Sequence, residues 1–391
     1  MSDGGAGGAL CHPVSSVEWR VDMVASRAAV LTEAGGAPVL ADIEVREPVG
    51  DEVLIKISAV GICHTDISLA ARWPAKRMPI VFGHEGCGVV EAVGPGATVA
   101  VGQRVVLTFN SCGVCSQCAA GRPAYCDRST TLNMRGDRAD GSGALSWSGV
   151  SSGSNGPVVG GFFGQSSFST YAIATQRNTI SIGEQIDAAT AAPLGCSVQT
   201  GVGAVLNALR PGIGDSIAVF GAGAVGLSAV MGARIAGCRT IIAVDPIAER
   251  RSLAMDLGAT HAIDPTESAA VEAVVEHSAG GVGHALDTTA IPAVLVDAVS
   301  ALRTRGQLGI VGLGAPMAEL PVGLVMGRGL SIRGIVEGDS VPQTFIPELV
   351  DLYSRGDLPL EKLITPYAFG DFDSAWQAAR SGSDVKPVLT V

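Results

Sequence analysis

The chain reads as an α/β protein with a β-rich first half and a doubly wound, mostly parallel sheet in the second half. Three observations predict this. Across residues 52–60, Val53, Ile55, Ile57 and Ala59 alternate with other residues, the period-2 signature of a half-buried strand. After Pro211 the texture changes to strand–helix alternation, with strands at 216–220 and 240–244, a helix at 224–236 and further pairs to 306–311. Between the first of these strands and its helix stands Gly221-Ala222-Gly223-Ala224-Val225-Gly226, a glycine pattern suited to a βα turn.

Taken in order, residues 1–22 are rich in Gly and Ser, show no period and predict a loose extension, with Met23 as an alternative start. A first strand follows at 24–31. Punctuation at Gly96, Gly102 and Pro123 keeps the first half β-rich, and the Gly/Ser-crowded stretch 136–161 predicts a surface loop. From Val341 the pattern is helix, loop, helix and final strand, which predicts a return to the first domain. The expected division is an extension 1–22, a catalytic domain of 23–197 and 338–391, and a nucleotide domain of 198–337.

Composition narrows the function classes. With 391 residues, 47% hydrophobic and 16% charged, the chain has enough apolar material for two cores. A formal charge of −11 with no basic patch argues against nucleic acid and anionic membranes as partners. Two uncharged stretches, 189–209 and 216–233, raise a membrane question. Their glycines, with Pro193, Gln199 and Asn207 in the first, favour buried soluble segments. No basic start followed by an apolar core marks the chain for export, so a cytoplasmic location is expected.

Cys112, Cys115, Cys118 and Cys126 fall within fifteen residues, the first three at two-residue gaps. Such spacing lets four thiolates converge on one Zn²⁺, which closes a structural site and staples a lobe at 112–126. Paired disulfides and an iron–sulfur cluster are the alternatives. Cys11, Cys87 and Cys238 have no expected metal role. At the glycine turn, Gly221, Gly223 and Gly226 would bring backbone amides and a helix N-terminus to a pyrophosphate. Asp245, nineteen residues beyond Gly226, would hydrogen-bond both hydroxyls of an adenosine ribose, favouring NAD over NADP. Arg250 and Arg251 stand close enough to soften that preference. A glycine turn with Asp245 capping the next helix is the plainer alternative.

Spacing alone assigns nothing to Cys63, His84, Glu85 or Cys196. Their contexts occur in order with the other motifs: Gly61-Ile62-Cys63-His64-Thr65-Asp66, Gly83-His84-Glu85-Gly86, the Cys112 lobe, Gly195-Cys196 with Thr200, then the glycine turn. Together they resemble the zinc-dependent medium-chain alcohol dehydrogenases over essentially the whole chain after residue 23. That resemblance implies a GroES-like catalytic domain and a Rossmann coenzyme domain. It implies that Cys63, His84 and Cys196 hold a catalytic zinc beside a structural one, with Glu85 behind the metal or binding it transiently. Asp66 would fix the His84 ring, and Thr65 would take the alcohol proton. Thr200 and Val225 would press the nicotinamide; His64 and Lys386 would face the pyrophosphate; Arg250, Val311 and Gly312 would also border the cofactor. Ser68 replaces the relay histidine of many relatives, leaving a ribose hydroxyl and water to complete the proton path.

A closer resemblance to bacterial aryl-alcohol dehydrogenases rests on three runs, 162–168, 195–201 and 337–343. It implies Phe162 in a substrate channel, with Trp73, Phe109 and Val336 as looser candidates. The implied reaction is reversible oxidation of a primary aromatic or allylic alcohol by a homodimer or homotetramer. A terpene alcohol such as geraniol or perillyl alcohol, S-(hydroxymethyl)glutathione, or a catalytically silent zinc-stapled nucleotide-binding role are the alternatives.

Overall fold

The computed structural model describes residues 23–138, 140–148 and 156–391. The expectations for residues 1–22 and Cys11 lie outside them. Two antiparallel-rich sheets share a core in the first part of the chain. One runs Ile80–Val81, Met23–Leu31, Val39–Arg46, Leu145–Trp147, Pro157–Val158. The other is built on the long strand Glu52–Gly61, which pairs with Gly86–Val93 on one side and with Tyr171–Thr175 and Lys386–Thr390 along the other. The strand is buried on both faces rather than half-buried as alternation predicted: Val53, Ile55 and Ile57 share a core with Leu54, Val60, Phe82, Phe162 and Phe168.

The stretch 136–161 is more than a surface loop. It supplies two short strands to the first sheet, and Arg138 reaches back to pair with Glu52, which also receives two hydrogen bonds from Arg46. A buried carboxylate needs such cations. That tertiary demand overrides the loop-like composition.

Residues 216–334 form a six-stranded parallel sheet in the order His261–Ile263, Thr240–Val244, Ser216–Phe220, Val282–Asp287, Leu302–Ile310, Ser331–Gly334. The order reverses between Ser216–Phe220 and Val282–Asp287, and the crevice above such a switch is where open α/β sheets receive ligands. Ser331–Gly334 is the edge strand. The last helices and strands return to the first domain, where Lys386–Thr390 pairs with Glu52–Gly61 and Ile364–Ala368 extends the sheet beyond it. The apolar stretch 189–209 resolves into Ala188–Ala191, Ser197–Gly203 and the π-turn Ala204–Leu209, and among the described residues no helix is long and apolar enough to cross a membrane. Its side chains join a core that includes Val219 of the parallel sheet and Leu349 of the returning chain, so one apolar body ties the two parts together.

Candidate active site

Three separate elements deliver one cluster. Cys63 precedes the short helix His64–Ala70, His84 lies just before Gly86–Val93, and Cys196 opens Ser197–Gly203. Their ligating atoms all lie within 4.8 Å of one another. The His84 ring turns Nδ1 to Asp66 Oδ1 at 2.9 Å, leaving Nε2 buried with no hydrogen-bond partner among the described residues. An orphaned imidazole nitrogen facing two thiols is the donor set for a divalent soft metal, so zinc fits. The Cys196 thiol beside it, opposed by burial and aided by the Lys386 ammonium, holds Cys63 well below the usual thiol range.

Asp66 is held as firmly as the ring it orients. It is fully buried and accepts the amides of Cys63 and Gly83, both at 3.1 Å. Gly83 sits at φ 93, and a Cβ there would stand 2.5 Å from the Phe168 nitrogen, so this turn admits only glycine.

Lys386 and Glu85 pair with each other. Lys386, expected at a pyrophosphate, is 2% exposed, and its ammonium contacts both oxygens of Glu85 at 2.9 Å and the Ile62 carbonyl at 3.2 Å. A buried carboxylate beside thiolates requires a cation, and this one is committed to it. Glu85 accordingly stands outside the converging set, also accepting the Ser197 amide at 3.3 Å. Burial, offset by Lys386, raises its carboxyl above the ordinary value.

The substrate side also differs from expectation. Phe162 is fully buried and packs edge-on against Phe82, Phe163, His84 and Trp73, so it backs the cleft rather than lining it. Trp73 and Phe109 are nearly buried, while Val336 is 45% exposed. The neighbouring Phe163 carries the contact that sequence reasoning missed: its ring stacks on His84 at 4.5 Å and 25°. A left-handed φ of 50 swings it there, and no pattern in the sequence announces such a conformation at phenylalanine. Gln165 was missed too; its amide donates to the His84 and Thr108 carbonyls and accepts from Gly86 N, fixing the ligand-bearing turn.

The four-cysteine lobe is closed. All four Sγ atoms lie within 4.8 Å, with Cys112–Cys118 at 4.0 Å and Cys115–Cys126 at 3.9 Å. A tetrahedron of 2.3 Å Zn–S bonds has edges of about 3.8 Å, so one zinc ion fits. A disulfide would need about 2.05 Å. The cysteines are free thiols. Amides of Val114 and Cys115, against a smaller cost of burial, lower the Cys112 thiol to about 6. Cys87 is a buried apolar group whose thiol burial pushes up to about 12.

At the head of the switch crevice, Gly221 takes φ 90, and a Cβ on Gly226 would stand 1.8 Å from the Gly221 carbonyl. Nothing would meet a Cβ on Gly223, which leaves an open cradle at the N-terminus of Ala224–Ile235. Asp245 accepts the Ala222 amide at 2.7 Å and the Ile247 amide at 2.8 Å, and a carboxylate has lone pairs left for a ribose. Val311 and Gly312 follow the strand Leu302–Ile310, beside Asp287. His64 is exposed at the first helical position after Cys63. The Arg250 guanidinium donates to the Gly382 carbonyl at 2.8 Å, tying the coenzyme part to the returning chain. The donor sets and the cradle therefore fit two zinc ions and a dinucleotide.

The profile for zinc-binding dehydrogenases matches residues 224–355, and that for the alcohol dehydrogenase GroES-like domain matches 50–184. A geraniol dehydrogenase of Castellaniella defragrans is 43% identical over 94% of this chain and 98% of its own length. The chain belongs to the zinc-binding medium-chain alcohol dehydrogenase family. Within that family, the solved benzyl alcohol dehydrogenase of Acinetobacter calcoaceticus superposes with a TM-score of 0.89 at 40% identity, covering 94% of this chain and 99% of its own. An alcohol dehydrogenase from E. coli CFT073 in complex with NADH gives 0.77 at 25% identity, covering 94% and 99%. This member is a zinc-dependent, NAD-linked alcohol dehydrogenase with a GroES-like and a Rossmann-type domain.

Proposed function

We propose that this dehydrogenase reversibly oxidises a primary aromatic or allylic alcohol of the benzyl alcohol type to its aldehyde. The observation that carries the reading is Phe163, 8% exposed and stacked on His84 at the edge of an aromatic cluster. Offset or edge contacts there suit a flat conjugated substrate. Similarity to a benzyl alcohol dehydrogenase adds support.

Cys63, His84 and Cys196 would hold zinc, which supplies a Lewis acid for the alcohol oxygen, while NAD supplies the hydride acceptor. Asp66 keeps the His84 proton on Nδ1, so Nε2 stays a lone-pair donor. The half-buried Thr65 hydroxyl takes the alcohol proton, and with Ser68 in place of a relay histidine a ribose hydroxyl and water carry it outward. Thr200 and Val225 border the nicotinamide, with His64 at the pyrophosphate. Domains 23–197 with 338–391 and 198–337 would bracket the cleft, in a cytoplasmic homodimer or homotetramer joined at the edge strand Ser331–Gly334.

A second reading, a terpene alcohol such as geraniol, is favoured by the 43% identical relative. The test is kcat/KM for benzyl alcohol, cinnamyl alcohol, geraniol, ethanol and S-(hydroxymethyl)glutathione with NAD and NADP. Benzyl or cinnamyl alcohol should exceed ethanol by about a hundredfold or more, as apolar pocket discrimination allows over several carbons. Comparable turnover of ethanol and benzyl alcohol sinks the aromatic reading; a clear lead for geraniol transfers it to the second.

A further inference from the structure

The runs 162–168, 195–201 and 337–343 are far apart in the chain, yet one buried polar network joins them, and it centres on Thr108. Thr108 follows the strand Arg104–Leu107 and is fully buried. Its carbonyl accepts from Gln165 Nε2 at 3.2 Å, and the same amide donates to the His84 carbonyl at 3.1 Å. Its hydroxyl donates to the Gly195 carbonyl at 2.7 Å, one residue before Cys196. Thr108 thus braces the turns of two candidate zinc ligands that no sequence spacing relates.

Gln199 carries the network on toward the coenzyme side. It is fully buried, and its Nε2 reaches Thr108 Oγ1 at 2.7 Å, the Gly195 carbonyl, and Glu337 Oε2 at 3.1 Å, while its Oε1 accepts from Ser340 Oγ at 3.0 Å. Thr200 Oγ1 donates to the same Glu337 oxygen at 3.3 Å. Burial pushes that carboxyl up to about 8, so near pH 7 it joins the network mostly as a neutral group. Its turn is fixed by the backbone: Glu337, Gly338 and Asp339 take φ 49, 64 and 51, and a Cβ on Gly338 would stand 2.2 Å from the Gln199 carbonyl. The helix Ser197–Gly203 leads the chain into the parallel-sheet part and residues 337–340 lead it out, so Gln199 pins both crossings. A buried carboxamide with partners at both ends has one place to be.

We propose that Gln199 is a positioning residue for hydride transfer: through Thr108 and Glu337 it holds the turn of Cys196 and the wall of Thr200 at one fixed separation. Hydride passes from the carbinol carbon to the nicotinamide, so the step is steep in the distance between them, and a displacement of about 1 Å costs about a hundredfold. Being fully buried, Gln199 acts through these neighbours rather than on the reactants. The proposal rests on Cys196 as a zinc ligand and on Thr200 as part of the nicotinamide wall.

Single-turnover kinetics of the zinc-loaded full chain tests it, with benzyl alcohol or geraniol, whichever turns over faster, carrying hydrogen or deuterium at the carbinol carbon. Gln199→Leu should slow the deuterium-sensitive step about 10- to 100-fold, with zinc content unchanged and KM and NAD⁺ affinity within about threefold. Backbone amides of 195–203 and 337–340 should exchange with deuterium about tenfold faster in the same variant, a readout that needs no turnover. Thr108→Val should act in the same direction, and Thr108→Ser, which keeps the hydroxyl, should recover most of the rate. Because both residues serve one frame, the double variant Gln199→Leu/Thr108→Val should lose little more than the larger single loss. An unchanged hydride step, a change in KM alone, or a loss that follows zinc content would mark Gln199 as a packing group and overturn the proposal, as would multiplicative losses in the double variant. Should Gln199→Leu fail to fold, the two Thr108 variants decide alone. Undiminished zinc content and turnover in Cys196→Ser would instead overturn the ligand reading beneath the proposal.

Discussion

The two thiol clusters are opposite solutions to holding a metal. Cys112, Cys115, Cys118 and Cys126 come from one lobe, are mostly half-exposed, and meet sulfur to sulfur with no position left over. Cys63, His84 and Cys196 come from three distant segments, are buried, and present three ligating atoms. A local cluster closes short loops at small entropic cost and can add folding free energy as soon as metal binds. A dispersed cluster exists only after both sheets and the switch crevice have formed. A zinc held by these three would have a fourth position left for chemistry.

Three substitutions can break or sharpen that contrast. The largest effect should follow Cys63→Ser, which should lower kcat/KM by about a thousandfold or more, about 4 kcal/mol of transition-state stabilisation, while NAD⁺ affinity and the melting temperature stay close to those of the unaltered protein. Steady-state kinetics, nucleotide titration and a thermal melt together check it. A smaller loss should follow Asp66→Asn. Asparagine can no longer pull the imidazole proton onto Nδ1, so zinc affinity or turnover should fall about 10- to 100-fold, measured by competition with a chromogenic chelator and by kcat. The smallest effect on chemistry should come from Cys115→Ser. Turnover per folded molecule should persist while the melting temperature falls by several degrees, read by calorimetry beside activity of the soluble fraction. If Cys115→Ser abolished turnover without loss of stability, the division of labour would be wrong.

The contrast also explains what the sequence could carry. Two-residue gaps between cysteines, a glycine turn after an apolar strand and period-2 alternation are local facts, and each predicted its element. The dispersed ligands were legible only through family resemblance, because no spacing rule joins Cys63 to Cys196. The Lys386–Glu85 pair was not legible because the two become neighbours only when the last strand pairs with Glu52–Gly61. The contact of Arg250 with Gly382 was hidden likewise. Phe163 and Glu337 owe their positions to left-handed backbone, which composition does not encode outside glycine and asparagine. Phe162 was picked by family position, and two adjacent residues of one type leave the sequence no way to tell which ring stacks on His84.

Zinc analysis with X-ray absorption at the zinc edge, on the unaltered protein and on Cys63→Ser, tests the central claim most directly. Two closed-form expectations apply: about two zinc ions per chain in the unaltered protein with mixed sulfur and nitrogen neighbours, and about one in Cys63→Ser with four sulfurs near 2.3 Å. A single zinc in the unaltered chain, or a nitrogen ligand on the zinc that survives in Cys63→Ser, would contradict the account of one open and one closed site.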